Sequence, residues 1–238
     1  MKRAILVGLT AVLALAGVAL WTLSRPRSMI DWMDFVRLDG ITYVANHLDQ
    51  GRPLTLADLG PHYGTVRFRV SDNVSDPEYR VKDGDAAFLA PGTKLHAVNG
   101  YNPRFRLAAN WGDQVTLYEA GTNPKAKTGA DLLDLADKVT RISIGSPEDG
   151  HLLAAVTDAG QVQNLVATVL STPVFPPGQR GGSATSGVDL CFLTFHFMDG
   201  TASTRAYWYD TGVLQAGPSL QMSEGFRTVI LETVKPGR

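Results

Sequence analysis

Phe35-Val36-Arg37-Leu38-Asp39-Gly40-Ile41-Thr42-Tyr43-Val44 sets an Asp-Gly dipeptide between two runs rich in apolar and β-branched residues. The runs extend outward over 30–38 and 41–48, with Trp32, Phe35 and Val36 in the first. A two-residue hairpin loop of type I′ needs positive φ at both central positions, which aspartate tolerates and glycine adopts freely. The stretch therefore predicts an antiparallel hairpin. Asp-Gly occurs four times, at irregular spacing, so it punctuates the chain and does not mark a repeat.

Outward from the hairpin, 53–63 reads as a loop or short helical turn with Leu54, Leu56 and Leu59 tucked inward. Thr65 to Val70 alternates, placing Val66, Phe68 and Val70 inward and Arg67 and Arg69 toward water. Short strands are expected over 79–82, 86–89, 94–98, 105–109 and 115–118. Asp83-Gly84, Pro91-Gly92, Asn99-Gly100 and Trp111-Gly112-Asp113 separate them. Residues 30–120 thus predict a β-rich domain, a small barrel or sandwich.

Residues 121–130 read as a linker, and the pattern changes beyond it. A short helix is expected over 131–138 and a strand over 139–144. Asp158 caps a second helix with Val162, Leu165, Val166, Val169 and Leu170 at helical spacing. A glycine- and serine-rich stretch, 177–187, precedes a hairpin of 188–197 and 202–209 about Asp199-Gly200. Only a weak strand signal covers 211–216. Ser223 caps a last helix carrying Phe226, Val229, Ile230 and Val234. Residues 131–238 predict an α+β domain with helices on an antiparallel sheet. The single cysteine, Cys191, shares a strand face with Leu193, Phe195 and Phe197, which makes it a core residue.

At the amino end Lys2 and Arg3 precede an uncharged, proline-free stretch from Ala4 to Leu23. About 20 helical residues at about 1.5 Å each span the hydrocarbon core of a bilayer. Trp21 falls at its far end, where an interfacial ring is favoured, and Arg25-Pro26-Arg27 stop the helix. Residues 1–29 are read as a signal anchor with a short linker. The alternative is a secreted chain, cleaved after the small residues of Ala14-Leu15-Ala16 or Gly17-Val18-Ala19. Both place the rest of the chain outside the cytoplasm. Three residues precede the stretch, so no cytoplasmic output domain is expected.

Lys+Arg (22) and Asp+Glu (23) nearly cancel over 238 residues, which argues against nucleic-acid binding. No histidines pair at i, i+2 or i, i+4, so no zinc spacing exists, and no G-x-S-x-G elbow is present. Gly178 to Ser183 is superficially like a phosphate cradle, but proline precedes it and a strand follows. The acidic run of Asp72, Asn73, Asp76, Glu78, Asp83 and Asp85 lacks the ligand order of a calcium loop. No catalytic residue, metal or cofactor is indicated. The candidate ligand-binding residues are Arg67, Arg69, Arg104 and Arg106, with the aromatics Tyr101 and Trp111. Arginines on strands suit an anion or an acidic envelope polymer, although a charged outer face also serves solubility alone. Tyr207 and Trp208 would extend an aromatic edge.

The run from Asp83 to Ala109, Asp-Gly-Asp-Ala-Ala-Phe-Leu-Ala-Pro-Gly-Thr-Lys-Leu-His-Ala-Val-Asn-Gly-Tyr-Asn-Pro-Arg-Phe-Arg-Leu-Ala-Ala, resembles a segment of membrane-anchored or secreted envelope proteins of Gram-positive-type bacteria. The resemblance implies an anchor or signal followed by a β-rich and then a smaller α+β region. It implies no activity and no site residues. The expectation is a membrane-tethered, non-enzymatic binding module with an envelope protein or anionic polymer as partner. The alternative is an envelope-acting hydrolase whose carboxylates come from separated loops.

Overall fold

The computed structural model describes residues 30–45, 51–111, 114–175 and 190–234. The expected anchor over 4–23, the outer end of the first hairpin and the glycine-rich stretch over 177–187 lie outside them. The chain divides into two units, residues 1–31 with 73–80 and residues 32–72 with 81–238. In the described part of the first, Asp76 closes a turn by accepting from the Glu78 and Tyr79 amides at 2.9 and 3.1 Å. Both sheets belong to the second.

The opening hairpin forms as its sequence dictates. β1 (Phe35–Leu38) and β2 (Ile41–Ala45) pair with Leu38 opposite Ile41, and Asp39 (φ 52°) and Gly40 (φ 78°) both occupy the left-handed region. Around it a curled, eight-stranded sheet is built. It adds β3 (Leu59–Thr65), β4 (Phe68–Arg69), β5 (Asp85–Ala86), β6 (Lys94–Val98), β7 (Arg106–Trp111) and β8 (Gln114–Thr122), in the order β3-β6-β7-β8-β2-β1-β5-β4. Only β4 and β5 run parallel. The curl encloses Val36, Ile41, Tyr43, Val66, Leu89, Leu95, Leu107 and Tyr118.

Three local expectations are corrected here. The strand read over 65–70 shrinks to β4, while residues 59–65, read mostly as loop or helical turn, form β3, where Gly60 and Gly64 let the backbone press against Asn99 and Leu38. Residues 79–82 form no strand; the Asp85 amide donates to the Lys82 carbonyl and closes a turn instead. The strand read over 86–89 shrinks to β5, although Leu89 remains fully buried.

The second sheet is antiparallel throughout. It contains β9 (Val139–Gly145), β10 (Leu152–Val156), β11 (Leu190–Phe197), β12 (Ala202–Trp208), β13 (Val213–Gln215) and β14 (Ser219–Gln221), ordered β10-β9-β11-β12-β13-β14. Its core includes residues of α1 (Ala159–Ser171) and α2 (Glu224–Val234). Asp158 Oδ1 caps α1 by accepting from the Gln161 amide at 2.8 Å, and Ser223 Oγ accepts from Phe226 at 3.3 Å. Val162, Leu165, Val166 and Val169 form the buried stripe of α1; Phe226 and Ile230 do so for α2. Cys191 lies at 1% exposure beside Leu193, Phe195 and Phe197, and burial pushes its thiol up to about 12.

The helix expected over 131–138 is a further correction. A single 3-10 turn, Gly129–Asp131, stands there, and Leu132, Leu133 and Leu135 reach the core from irregular backbone. The Asp131 carboxylate accepts from the Lys127 and Thr128 amides, and Asp137 adopts φ 56°, so the chain is held in turns at both ends. Strands β10 and β14 carried no readable signal of their own. Between the sheets, Asn123 is buried and Ala126 packs against the second core.

The sheets meet at a buried charge. Arg106 on β7 and Glu119 on β8 are direct cross-strand partners, 0% and 2% exposed at their side chains. Glu119 Oε1 accepts from Arg106 Nε at 2.8 Å and lies 2.7 Å from Nη2. From the second sheet, Thr201 Oγ1 accepts from Nη1 at 2.9 Å and the Ala202 carbonyl accepts from Nη2. Ser203 Oγ donates to Glu119 Oε2 at 3.0 Å, with Arg205 Nη2 at the same distance. Tyr101, Phe105 and Phe197 set their rings 4.4–4.8 Å from the Arg106 guanidinium carbon, where a ring face attracts a cation. The turn between β11 and β12 is gripped as well. Arg52 Nε donates to the Asp199 carbonyl at 2.6 Å, and Tyr101 Oη donates to Asp199 Oδ2 at 3.1 Å.

Removing one partner of a buried pair strands the other in a low-dielectric site. Glu119→Ala is expected to cost about 3–5 kcal/mol, read from the urea midpoint of unfolding. Burial also pushes the Tyr101 phenol up to about 12, against about 10 in an unfolded chain. The neutral phenol is the form the fold favours, so its contribution is whole below pH 10 and disappears as pH climbs toward 12. Thermal unfolding across that window should fall less steeply in Tyr101→Phe than in the parent chain.

Candidate functional site

The left-handed turn at Asp39-Gly40 lifts its aspartate out of the ladder and turns it toward β3. There Tyr63 Oη donates to Asp39 Oδ2 at 3.0 Å. Burial, and then this hydrogen bond, raise the Tyr63 phenol above its usual range. Asp83, in the Asp83-Gly84 turn, meets the same hairpin from the other side. Its Oδ1 accepts from the Gly40 amide at 2.9 Å and lies 3.4 Å from Arg37 Nε. Asp39, Gly40, Ile41, Tyr63, Asp83, Arg104, Asn123 and Lys125 together line a crevice of about 500 Å³.

The crevice carries charge of both signs. Asp39 and Asp83 are its acids, and Arg104 and Lys125 its bases, all four exposed. Arg104 enters from the turn before β7, where its amide donates to Asn102 Oδ1 at 2.9 Å. Lys125 enters from the segment after β8, where its amide donates to the Oδ1 of buried Asn123 at 3.1 Å. Among the described residues no ion pair joins these acids to Arg104 or Lys125, and neither of those cationic side chains has a hydrogen-bonding partner. Asp39 Oδ1 and Asp83 Oδ2 likewise accept no hydrogen bond from a described residue. Chemically the site can offer two acceptors and two donors to one ligand. Both carboxylates are exposed and already engage donors.

The residues singled out by sequence are dispersed. Arg104 alone of the six reaches the crevice. Arg67 is exposed and lays its stem over Gly84; Arg69 stands 3.2 Å from Asp72. Arg106 is enclosed in the seam between the sheets and offers no polar end at an open surface; Tyr101 is half-buried beside it, its hydroxyl engaged by Asp199 and Thr201. Trp111 is half-exposed at the end of β7. Tyr207 is a core residue, its ring 5.5 Å from Phe226. Asp39, Tyr63, Asp83 and Lys125 were missed as site residues. The pair of Asp-Gly turns is a signal that finds Asp39 and Asp83; Tyr63 on β3 and Lys125 after β8 carry none.

Two other arrangements hold chemistry-bearing groups. Ser143 Oγ lies 2.5 Å from His196 Nε2 across β9 and β11, but Ser143 is buried and belongs to no cavity described above. Burial, and then Arg141, hold the His196 imidazole below its usual range, so it is neutral near pH 7 and serves as a strand-to-strand tie. His62 and His96 face each other across β3 and β6 with ring centroids 6.1 Å apart. Among the described residues no group of three or more His, Cys, Asp or Glu stands close enough to hold a metal ion. Nor is any described helix long and apolar enough to cross a membrane.

Compared with protein-family models, with curated proteins and with solved structures, the chain matches none.

The crevice can be altered without losing the turn. Asn tolerates left-handed φ and keeps an acceptor for Tyr63, so Asp39→Asn should change stability by no more than about 0.5 kcal/mol. A β-branched residue does neither, and Asp39→Val should cost about 1–2 kcal/mol. Paired urea titrations of the two variants measure the difference.

Proposed function

We propose that the chain is an extracytoplasmic binding module, tethered to the cell membrane by its N-terminal segment and engaging its partner through the charged crevice on the first sheet. One observation carries the location: the uncharged stretch from Ala4 to Leu23, flanked by basic residues on both sides. In water that stretch would expose some 20 apolar side chains; in lipid its helical hydrogen bonds close internally and its length matches the hydrocarbon core. The resemblance of the 83–109 run to envelope proteins points the same way.

Two features support binding in place of catalysis. The buried pair between the sheets fixes the body, while the crevice keeps exposed charges of both signs at the surface, its bases Arg104 and Lys125 without an ion-pair partner among the described residues. That arrangement selects a ligand by charge complementarity. The competing hydrolase reading would need two carboxylates free to act on a substrate, and Asp39 and Asp83 are each already engaged, by Tyr63 and by Gly40 with Arg37.

Fractionation of cells tests the location. The full-length chain is expected in the membrane fraction, resistant to alkaline carbonate and digested by protease added to intact cells. A chain lacking residues 1–27 should become soluble. Recovery of the full-length protein from the cytosol would defeat the proposal; recovery of a shortened chain from the medium would replace the tether by secretion.

A further inference from the structure

We infer that the crevice between the β1–β2 turn and residues 123–125 binds a small zwitterion, a molecule bearing an ammonium and a carboxylate a few bonds apart, as the two ends of a short peptide do. The inference rests on the binding-module reading and adds the chemistry of the ligand to it.

The charge pattern argues for this class over simpler ions. An anion drawn to Arg104 and Lys125 would also meet the carboxylates of Asp39 and Asp83, and a cation drawn to the acids would meet the two basic groups. A zwitterion satisfies both signs at once. Among the described residues no ion pair joins the acids to Arg104 or Lys125. The acids are held back: Asp39 by the Tyr63 hydroxyl, Asp83 by the Gly40 amide and Arg37. Each retains one oxygen without a described hydrogen-bond donor, free to accept from an ammonium group. The guanidinium of Arg104 presents a fork suited to a carboxylate, and Lys125 adds a second positive charge to the same crevice. The half-buried Tyr63 ring supplies apolar contact for a short aliphatic side chain. Because all four charges are exposed, affinity is modest, with a dissociation constant of about 1–10 mM that weakens with added salt.

The test uses the full chain in detergent micelles, labelled with nitrogen-15. It is titrated with alanyl-alanine, with N-acetyl-alanyl-alanine and with alanyl-alanine amide. The free dipeptide should give saturable shifts of the Gly40, Asp83 and Lys125 amides, and both blocked forms should bind at least about fivefold more weakly. Asp39→Asn should weaken the free dipeptide about threefold or more and leave the acetylated one unchanged; Arg104→Gln should do the same with respect to the amide. Absence of saturable shifts, equal binding of a blocked form, or indifference to both substitutions would overturn the inference. A chain that fractionates with membranes but ignores all three probes loses its zwitterion and keeps its tether. A cytosolic chain that still binds the free dipeptide reverses that outcome.

Discussion

Glu119 carries its charge in the interior, and the two sheets are arranged so that it is never alone. Its own sheet supplies Arg106, and the neighbouring sheet supplies Ser203 and Arg205. A carboxylate taken out of water at this depth costs several kcal/mol, so the site is tolerable only when every partner is in place. The aromatic walls and the Thr201 and Ala202 acceptors complete the shell around the guanidinium. An apolar contact of the same area would hold the sheets as firmly but would not fix their register. The charge admits one arrangement only.

From that constraint the placement of the surface follows. With β7 and β8 pinned at one end, the rest of the first sheet curls away and closes over Tyr43, Leu95 and Tyr118. The β1–β2 turn is thereby carried next to the Asp83-Gly84 turn and to the segment leaving β8. Arg104 lies two residues before Arg106, so the same stretch of chain plants one arginine in the interior and offers the other to solvent. Rigidity in the seam and charge in the crevice are consequences of one short piece of backbone.

Much of the architecture was legible because it is written in local patterns. The Asp39-Gly40 and Asp199-Gly200 hairpins, the Asp158 and Ser223 caps, the α1 stripe and the alternation around Cys191 all rest on interactions within a few residues. What failed depends on distant partners. Gly129 lies so close to the α1 backbone at Val169 that no side chain would fit, and nothing near 129 announces this. The 131–138 segment has helical spacing but is bent by tertiary contacts, where packing overrides propensity. Arg106 was read as a surface residue because alternation gives one wet face per strand. That rule lapses where a second sheet covers the far side. The crevice was hidden for a related reason: its residues come from five separate stretches, and only Arg104 stood out within a strand pattern.

The grip on the 199–201 turn has a kinetic side. Arg106 and Thr201 are 95 residues apart in the chain, and Tyr101 and Asp199 are 98 apart. Closing such long loops costs entropy before any contact rewards it, and proteins dominated by distant pairings fold slowly. Until the β11–β12 hairpin docks, Arg106 and Glu119 have only each other and water for company. The dry shell around the pair is therefore complete only where both sheets contribute to it, and its closure carries the entropy of a loop of about 95 residues.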